Sequence, residues 1–206
     1  MRETVWRDAV VARIANGPSP QRIADVGCGT GTLLAALARS SEGFQLTGVD
    51  GDPEALEIAR RKLEREGAVV NLMTGLADAL PLDDDSCDVV TMSLLLHHLD
   101  PQTKRSAFRE TARVLRPGGK LIVVDWGRPQ GALFKALFLL VRTLDGFHTT
   151  RENALGLIPQ IASENGFEDP VVFGRWRTAW GALEAFEAQP SDELREAAPA
   201  FNSRGR

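Results

Sequence analysis

Ile23-Ala24-Asp25-Val26-Gly27-Cys28-Gly29-Thr30-Gly31 is the stretch whose reading decides the fold. An apolar run that ends in alternating glycines is a strand running into a tight turn, because glycine takes backbone angles closed to other residues. Thr32–Arg39 follows with helical spacing, then Leu46-Thr47-Gly48-Val49 as a second apolar run closed by Asp50. The order is strand, glycine turn, helix, strand, carboxylate. Glycines at such a turn let a ligand approach the backbone, and a carboxylate about 20 residues further on can hold both ribose hydroxyls of an adenosine. An adenosine-containing cofactor is the expectation.

The glycine spacing separates two cofactor classes. A dinucleotide fingerprint needs Gly-x-Gly-x-x-Gly/Ala, and its last position here is Thr32. The chain has Gly27-x-Gly29-x-Gly31 instead, with Asp25 ahead of it. That pattern resembles the first motif of the class I S-adenosylmethionine-dependent methyltransferases.

Outward from this core, strands and helices alternate. Residues 3–15 have helical spacing and stop at Gly17-Pro18-Ser19-Pro20. Strand one is expected over Arg22–Val26 and strand two over Gln45–Val49. Asp52 caps a helix with Pro53 in its first turn, running to Glu66. Ala68–Met73 reads as strand three and Ser86–Leu95 as strand four. Asp100-Pro101 opens another helix, and Pro117-Gly118-Gly119 turns into strand five, Lys120–Asp125. Glu152–Asn165 reads as one helix, followed by two strands joined around Arg175–Arg177. Alternation of this kind gives an α/β fold, a mostly parallel sheet covered by helices on both faces.

The 206 residues suit one domain, and 43% hydrophobic residues suffice for a sizeable core. A net charge of −4 gives no basic footprint for nucleic acid. Two isolated cysteines, Cys28 and Cys87, imply a reducing compartment rather than a disulfide framework. The first 20 residues lack an apolar signal core, and Ala132–Val141 is too short to span a bilayer. A cytoplasmic protein, monomer or homodimer, is expected.

Further residues suggest a site. Asp78, in Ala77-Asp78-Ala79-Leu80-Pro81, can reach an adenine amino group or serve only as a polar loop. Asp83-Asp84-Asp85 reads as a solvated turn rather than a metal site, and no metal is expected. Ser93 ends strand four, where parallel strands aim at the ligand crevice. His97 and His98 come next and titrate near neutral pH, as a general base must. The bland alternative is one loop-orienting and one solvated histidine. The greasy segment 131–147 is core, interface or a lid over an apolar pocket. His148 directly after it faces that pocket or solvent.

Motifs at 23–33, 46–52, 77–82, 88–99 and 114–125 together resemble the small class I methyltransferases, and most nearly the ubiquinone/menaquinone-biosynthesis type. The resemblance covers residues 5–186. It implies a Rossmann-like seven-stranded sheet in order 3-2-1-4-5-7-6 with strand seven antiparallel. It also implies S-adenosylmethionine as cofactor, S-adenosylhomocysteine as product and in-line methyl transfer; it does not specify the acceptor, for which a small hydrophobic molecule is the expectation. The matching positions make Asp25, Gly27, Cys28, Gly29, Thr30 and Gly31 the wall at the methionine end. Asp50 and Gly51 then hold the ribose, Ala77 and Asp78 flank adenine, and Ser93 lines the methyl side. His97, His98 and His148 are the available bases. The chain has about one helix before strand one, where family members carry a longer segment, so either the pocket is more open or the 128–150 segment, through Ala132–Val141, supplies the lid alone. Residues 1–189 are expected to form one domain with a flexible tail at 190–206. A non-catalytic cofactor-binding scaffold and a nicotinamide-dependent oxidoreductase are the rival readings.

Overall fold

A computed structural model describes residues 4–17, 21–129, 131, 143, 146–178 and 181–191. Its elements are α1 (Thr4–Ala15), β1 (Gln21–Val26), α2 (Thr32–Ser40), β2 (Phe44–Asp50), α3 (Pro53–Arg65) and β3 (Val70–Thr74). Then come β4 (Cys87–Ser93), a 3-10 turn (Leu96–His98), α4 (Pro101–Val114) and β5 (Leu115–Trp126). The last elements among the described residues are α5 (Arg151–Leu155), α6 (Ile158–Ser163), β6 (Phe167–Arg177) and β7 (Ala182–Pro190).

The sheet order is β3-β2-β1-β4-β5-β7-β6, as expected. Strands β1 to β5 pair in parallel, whereas β7 runs antiparallel to both β5 and β6. Alternate strand residues feed two cores. Ile122 and Val124 of β5 pack with α1, α2 and α3 through Val10, Ile14, Leu34 and Leu63. Leu121 and Val123 pack on the other face with Phe108 of α4 and Ile158 and Ile161 of α6. Burial on both faces is what makes β4 and β5 near-continuous apolar runs.

Helix starts are set locally. The Asp52 side chain accepts from the Glu54 N–H, and Asp100 from the Gln102 and Thr103 N–H groups, each followed by proline at the first helical position. Helix α2 differs: its N-cap is Gly31 in the left-handed region, with no side-chain cap.

Three expectations need correction. The helix expected over Glu152–Asn165 is two short helices, because Gly156 turns left-handed at φ 73 and ends α5 before α6 starts at Ile158, with Pro159 in its first turn. The hairpin turn lies beyond Arg177, where the Thr178 N–H donates to Gly181 O at 2.7 Å; Arg175–Arg177 belong to β6. Strand β5 starts at Leu115, and Pro117-Gly118-Gly119 forms a bulge between the pairs Cys87↔Leu115 and Val89↔Lys120. Asp83–Asp85 is an exposed turn, as expected, and neighbouring side chains fix its place. Arg113 donates to Asp84 Oδ1 at 2.6 Å and to the Leu80 and Leu82 carbonyls, while Glu110 accepts the Leu80 N–H. This clasp holds the loop that carries Ala77 and Asp78. The apolar stretch 132–141 and the tail 192–206, which carry the lid and frayed-end expectations, lie outside the described residues.

Candidate active site

The carboxyl ends of β1, β2 and β4 bring most of the expected cofactor residues to one edge of the sheet. Gly27, Gly29 and Gly31 all have positive φ, at 68°, 51° and 71°. Two of them are pinned by packing. A Cβ on Gly27 would lie 2.7 Å from Leu95 Cδ1, and one on Gly31 would lie 3.1 Å from Ala59 Cβ. Gly29 differs, since a Cβ there would meet nothing within 4 Å. Its open side is where a ligand can reach the backbone.

Asp50 at the end of β2 organises this turn. Its Oδ2 accepts the Gly29 N–H at 2.7 Å and its Oδ1 the Asp52 N–H at 2.9 Å. The loops after β2 and β3 close against each other: the Gly75 N–H donates to Asp50 O at 3.0 Å, and Gly51 sits against Leu76. Leu76 is 61% exposed beside Asp50, Ala77 and Asp78. An apolar side chain standing in the open at that place was missed by the sequence reading; position alone carried no signal for it.

Asp25 is fully buried. Its Oδ1 accepts the Thr91 hydroxyl at 2.6 Å, whereas Oδ2 is buried with no partner. Burial pushes its pKa up to about 7; the Thr91 hydrogen bond opposes the rise and the nearby Asp50 charge adds to it. The Cys28 thiol is pushed up by burial and by the same two carboxylates, so it is an inert packing group. The Thr30 hydroxyl accepts from Lys62 of α3 at 3.2 Å, as Thr32 does at 2.9 Å. Its side chain therefore ties the turn to α3.

Strand β4 delivers Ser93, followed by Leu94 with φ 54. A branched residue there is strained. The Leu94 N–H donates to Val124 O at 2.8 Å, which holds the bend and lays Leu95 over Gly27.

The three histidines separate. His98 and His148 are exposed, and His97 is 4% exposed. Asp125, the last buried residue of β5, accepts from His97 Nδ1 at 2.8 Å and from the His97 N–H at 3.3 Å. The Trp126 N–H reaches the same carboxylate at 2.6 Å and Asn153 Nδ2 at 3.2 Å. An ionised carboxylate only accepts, so the His97 proton sits on Nδ1 and Nε2 is the basic nitrogen. Asn153 is placed by α5, which buried Lys104 of α4 anchors by donating to Thr149 O and pairing with Glu152 at 3.4 Å. Sequence reading missed Asp125 and Asn153. The one available signal was that Asp125 ends an apolar run as Asp50 does.

A glycine turn open at Gly29, the Asp50 carboxylate that holds it and an orphaned acidic oxygen at Asp25 form a site suited to an adenosine cofactor carrying a cationic amino acid end. The class is thus a cofactor-dependent enzyme of the Rossmann-like type. Residues 23–119 match the family model described as a methyltransferase domain. The demethylmenaquinone methyltransferase of Thermus thermophilus is 32% identical over 199 residues, covering 97% of this chain and 82% of that protein. The ubiquinone/menaquinone biosynthesis C-methyltransferase UbiE of Geotalea daltonii is 29% identical, over 65% of this chain and 57% of its own length. Among solved structures, the YcgJ protein of Bacillus subtilis superposes with a TM-score of 0.71 at 20% identity, covering 90% and 98% of the two chains. This chain belongs to the class I S-adenosylmethionine-dependent methyltransferases of the ubiquinone/menaquinone-biosynthesis type. Its cofactor is S-adenosylmethionine. The scaffold and oxidoreductase readings find no support among these relatives.

Proposed function

We propose that the chain methylates a small hydrophobic acceptor docked at the carboxyl ends of β4 and β5, with His97 as the proton acceptor. The observation that carries this is the buried His97–Asp125 pair, placed one strand beyond the cofactor turn. When bound, S-adenosylmethionine supplies an electrophilic methyl group on a sulfonium. Asp50 holds the two ribose hydroxyls and keeps the Gly29 turn in place. Asp25 faces the amino acid end with its orphaned oxygen, while Leu76, Ala77 and Asp78 enclose the adenine. Ser93 and the strained Leu94 bend border the methyl side. His97, held in one tautomer by Asp125, takes the proton that a hydroxyl or activated carbon acceptor must lose. The remaining contribution is alignment and exclusion of water.

The same reading treats residues 1–189 as one domain, with the 128–150 segment covering the acceptor, working in the cytoplasm. Among the described residues, no helix is long and apolar enough to cross a membrane. The quinone precursors named for the relatives are the first acceptors to try. Incubation with labelled S-adenosylmethionine and a demethylated quinol should transfer label in the wild type and much less in His97→Ala, with equal S-adenosylhomocysteine affinity. Equal turnover by the two proteins would remove His97 from the chemistry.

A further inference from the structure

Two groups that are costly to bury lie behind the His97–Asp125 pair. Lys104 is fully buried on the inward face of α4, in line with Phe108 and Thr111. Asn153 of α5 is fully buried as well. Its Nδ2 donates to Asp125 Oδ1 at 3.2 Å and to Trp126 O at 3.1 Å. Both partners only accept, which fixes the orientation of the amide and leaves its Oδ1 buried without a partner. A buried ion pair gains little stability over apolar side chains of similar volume, and an orphaned oxygen is a further cost. Stability alone accounts for neither group.

Their geometry joins them in one chain of contacts. Lys104 Nζ donates to Thr149 O and lies 3.4 Å from Glu152 Oε2, so α4 grips the start of α5 at two points. Arg105, next along α4, donates to Glu152 Oε1 at 2.8 Å. Asn153 follows Glu152 and reaches Asp125 from the helix layer, whereas His97 and Trp126 reach it from the edge of the sheet. Burial lowers the Lys104 pKa, while the Glu152 and Asp125 charges oppose the fall, so the ammonium is felt at Asp125 as well as at α5. We infer that Lys104 and Asn153 are positioning residues for the methyl transfer: Lys104 sets α5 so that Asn153 holds the Asp125 carboxylate in the orientation that keeps the proton on His97 Nδ1. The inference rests on His97 being the proton acceptor. A base that acts through Nε2 needs that nitrogen unprotonated, and a carboxylate able to turn would let the proton sit on either nitrogen.

The test compares the wild type with Lys104→Met, Asn153→Ala and the double variant. Methionine matches the lysine stem, and Arg105 still pairs with Glu152, so no carboxylate is stranded. The chain has three histidines, and in nitrogen NMR of the S-adenosylhomocysteine complex the His97 ring signals are the set lost in His97→Ala. At about pH 8, where a histidine of ordinary pKa is neutral, the wild type should show one tautomer, with the proton on Nδ1, and each single variant a mixture. With a demethylated quinol as acceptor, each single variant should lose about tenfold in kcat, and the double variant no more than the larger single loss, because both act through one carboxylate. S-adenosylhomocysteine affinity should not change. Should Lys104→Met not fold, Glu152→Gln loosens the same grip and takes its place in the cycle. A pure Nδ1 tautomer in both single variants overturns the inference, as do losses in kcat that multiply in the double variant. A fall in cofactor affinity matching the fall in kcat overturns it too, since that marks general damage. Wild-type turnover by His97→Ala would instead strike the proton-acceptor reading, and the spectra would still decide whether Lys104 and Asn153 hold the ring.

Discussion

The two halves of the sheet's carboxyl edge are built differently. On the β1–β2 side the functional groups lie within one strand–turn–helix–strand unit. Gly27, Gly29, Gly31 and Asp50 meet because Gly27 and Cys28 donate to Val49 O and Gly29 donates to Asp50. On the β4–β5 side the groups come from segments distant in sequence. His97, Asp125 and Asn153 each belong to a different element, and Lys104 of α4 adds a fourth. The first half is a stiff local device that many acceptors can share. The second is assembled by packing, and it is where the proposed function docks the acceptor. The polar cost is uneven too: Asp25 is held buried with one oxygen unpartnered, whereas Asp125 is surrounded by donors.

That difference can be broken at Asp25 first. Its folded pKa of about 7 lies above the ordinary 3.8, so the folded protein binds the extra proton between those pH values. Its contribution to stability is therefore intact near pH 4 and is lost as pH rises towards 7, by about 4 kcal/mol at 1.36 kcal/mol per unit. Asp25→Asn should remove this slope. Denaturant unfolding of both cofactor-free proteins from pH 4 to 8 checks it, and parallel curves would show that the burial is not costly.

Asp50→Ala should weaken S-adenosylhomocysteine binding about 100- to 1000-fold, since two charge-assisted hydrogen bonds are lost. It also releases the Gly29 and Asp52 amides. Calorimetric titration measures this, and an unchanged affinity in folded protein would move the ribose elsewhere.

Asp125→Asn should act on the other half alone. It should lower kcat about 10- to 100-fold and shift the pH–rate profile, with cofactor affinity untouched. An amide leaves the packing in place but no longer fixes the proton on His97 Nδ1. Loss of cofactor affinity in this variant would erase the division between the halves.

The smallest effect belongs to His148→Ala. His148 is exposed in the turn before α5, so turnover and cofactor affinity should stay within about twofold. A large fall in turnover would place a second proton acceptor on that segment.

Strand–helix alternation, the glycine turn and Asp50 were legible because each is written in contiguous residues, whereas the strand order followed from the family resemblance. Proline and aspartate at 52–53 and 100–101 set helix starts by bonds two or three residues long. The misread places were those where a local signal competed with a neighbour. Helical spacing over 152–165 hid the left-handed Gly156, and the apolar alternation near Arg175–Arg177 hid a turn that lies past it.

By itself the sequence determined the cofactor half: glycine spacing, strand alternation and a carboxylate at the right remove are short-range properties of the chain. Only the tertiary structure decided which histidine is buried, what holds its proton and what braces α5 behind it. Those facts depend on β5 lying between β4 and β7 and on α5 packing Asn153 against Asp125. Contacts between residues 28 or more positions apart are fixed by sheet order and core packing, which no local pattern encodes.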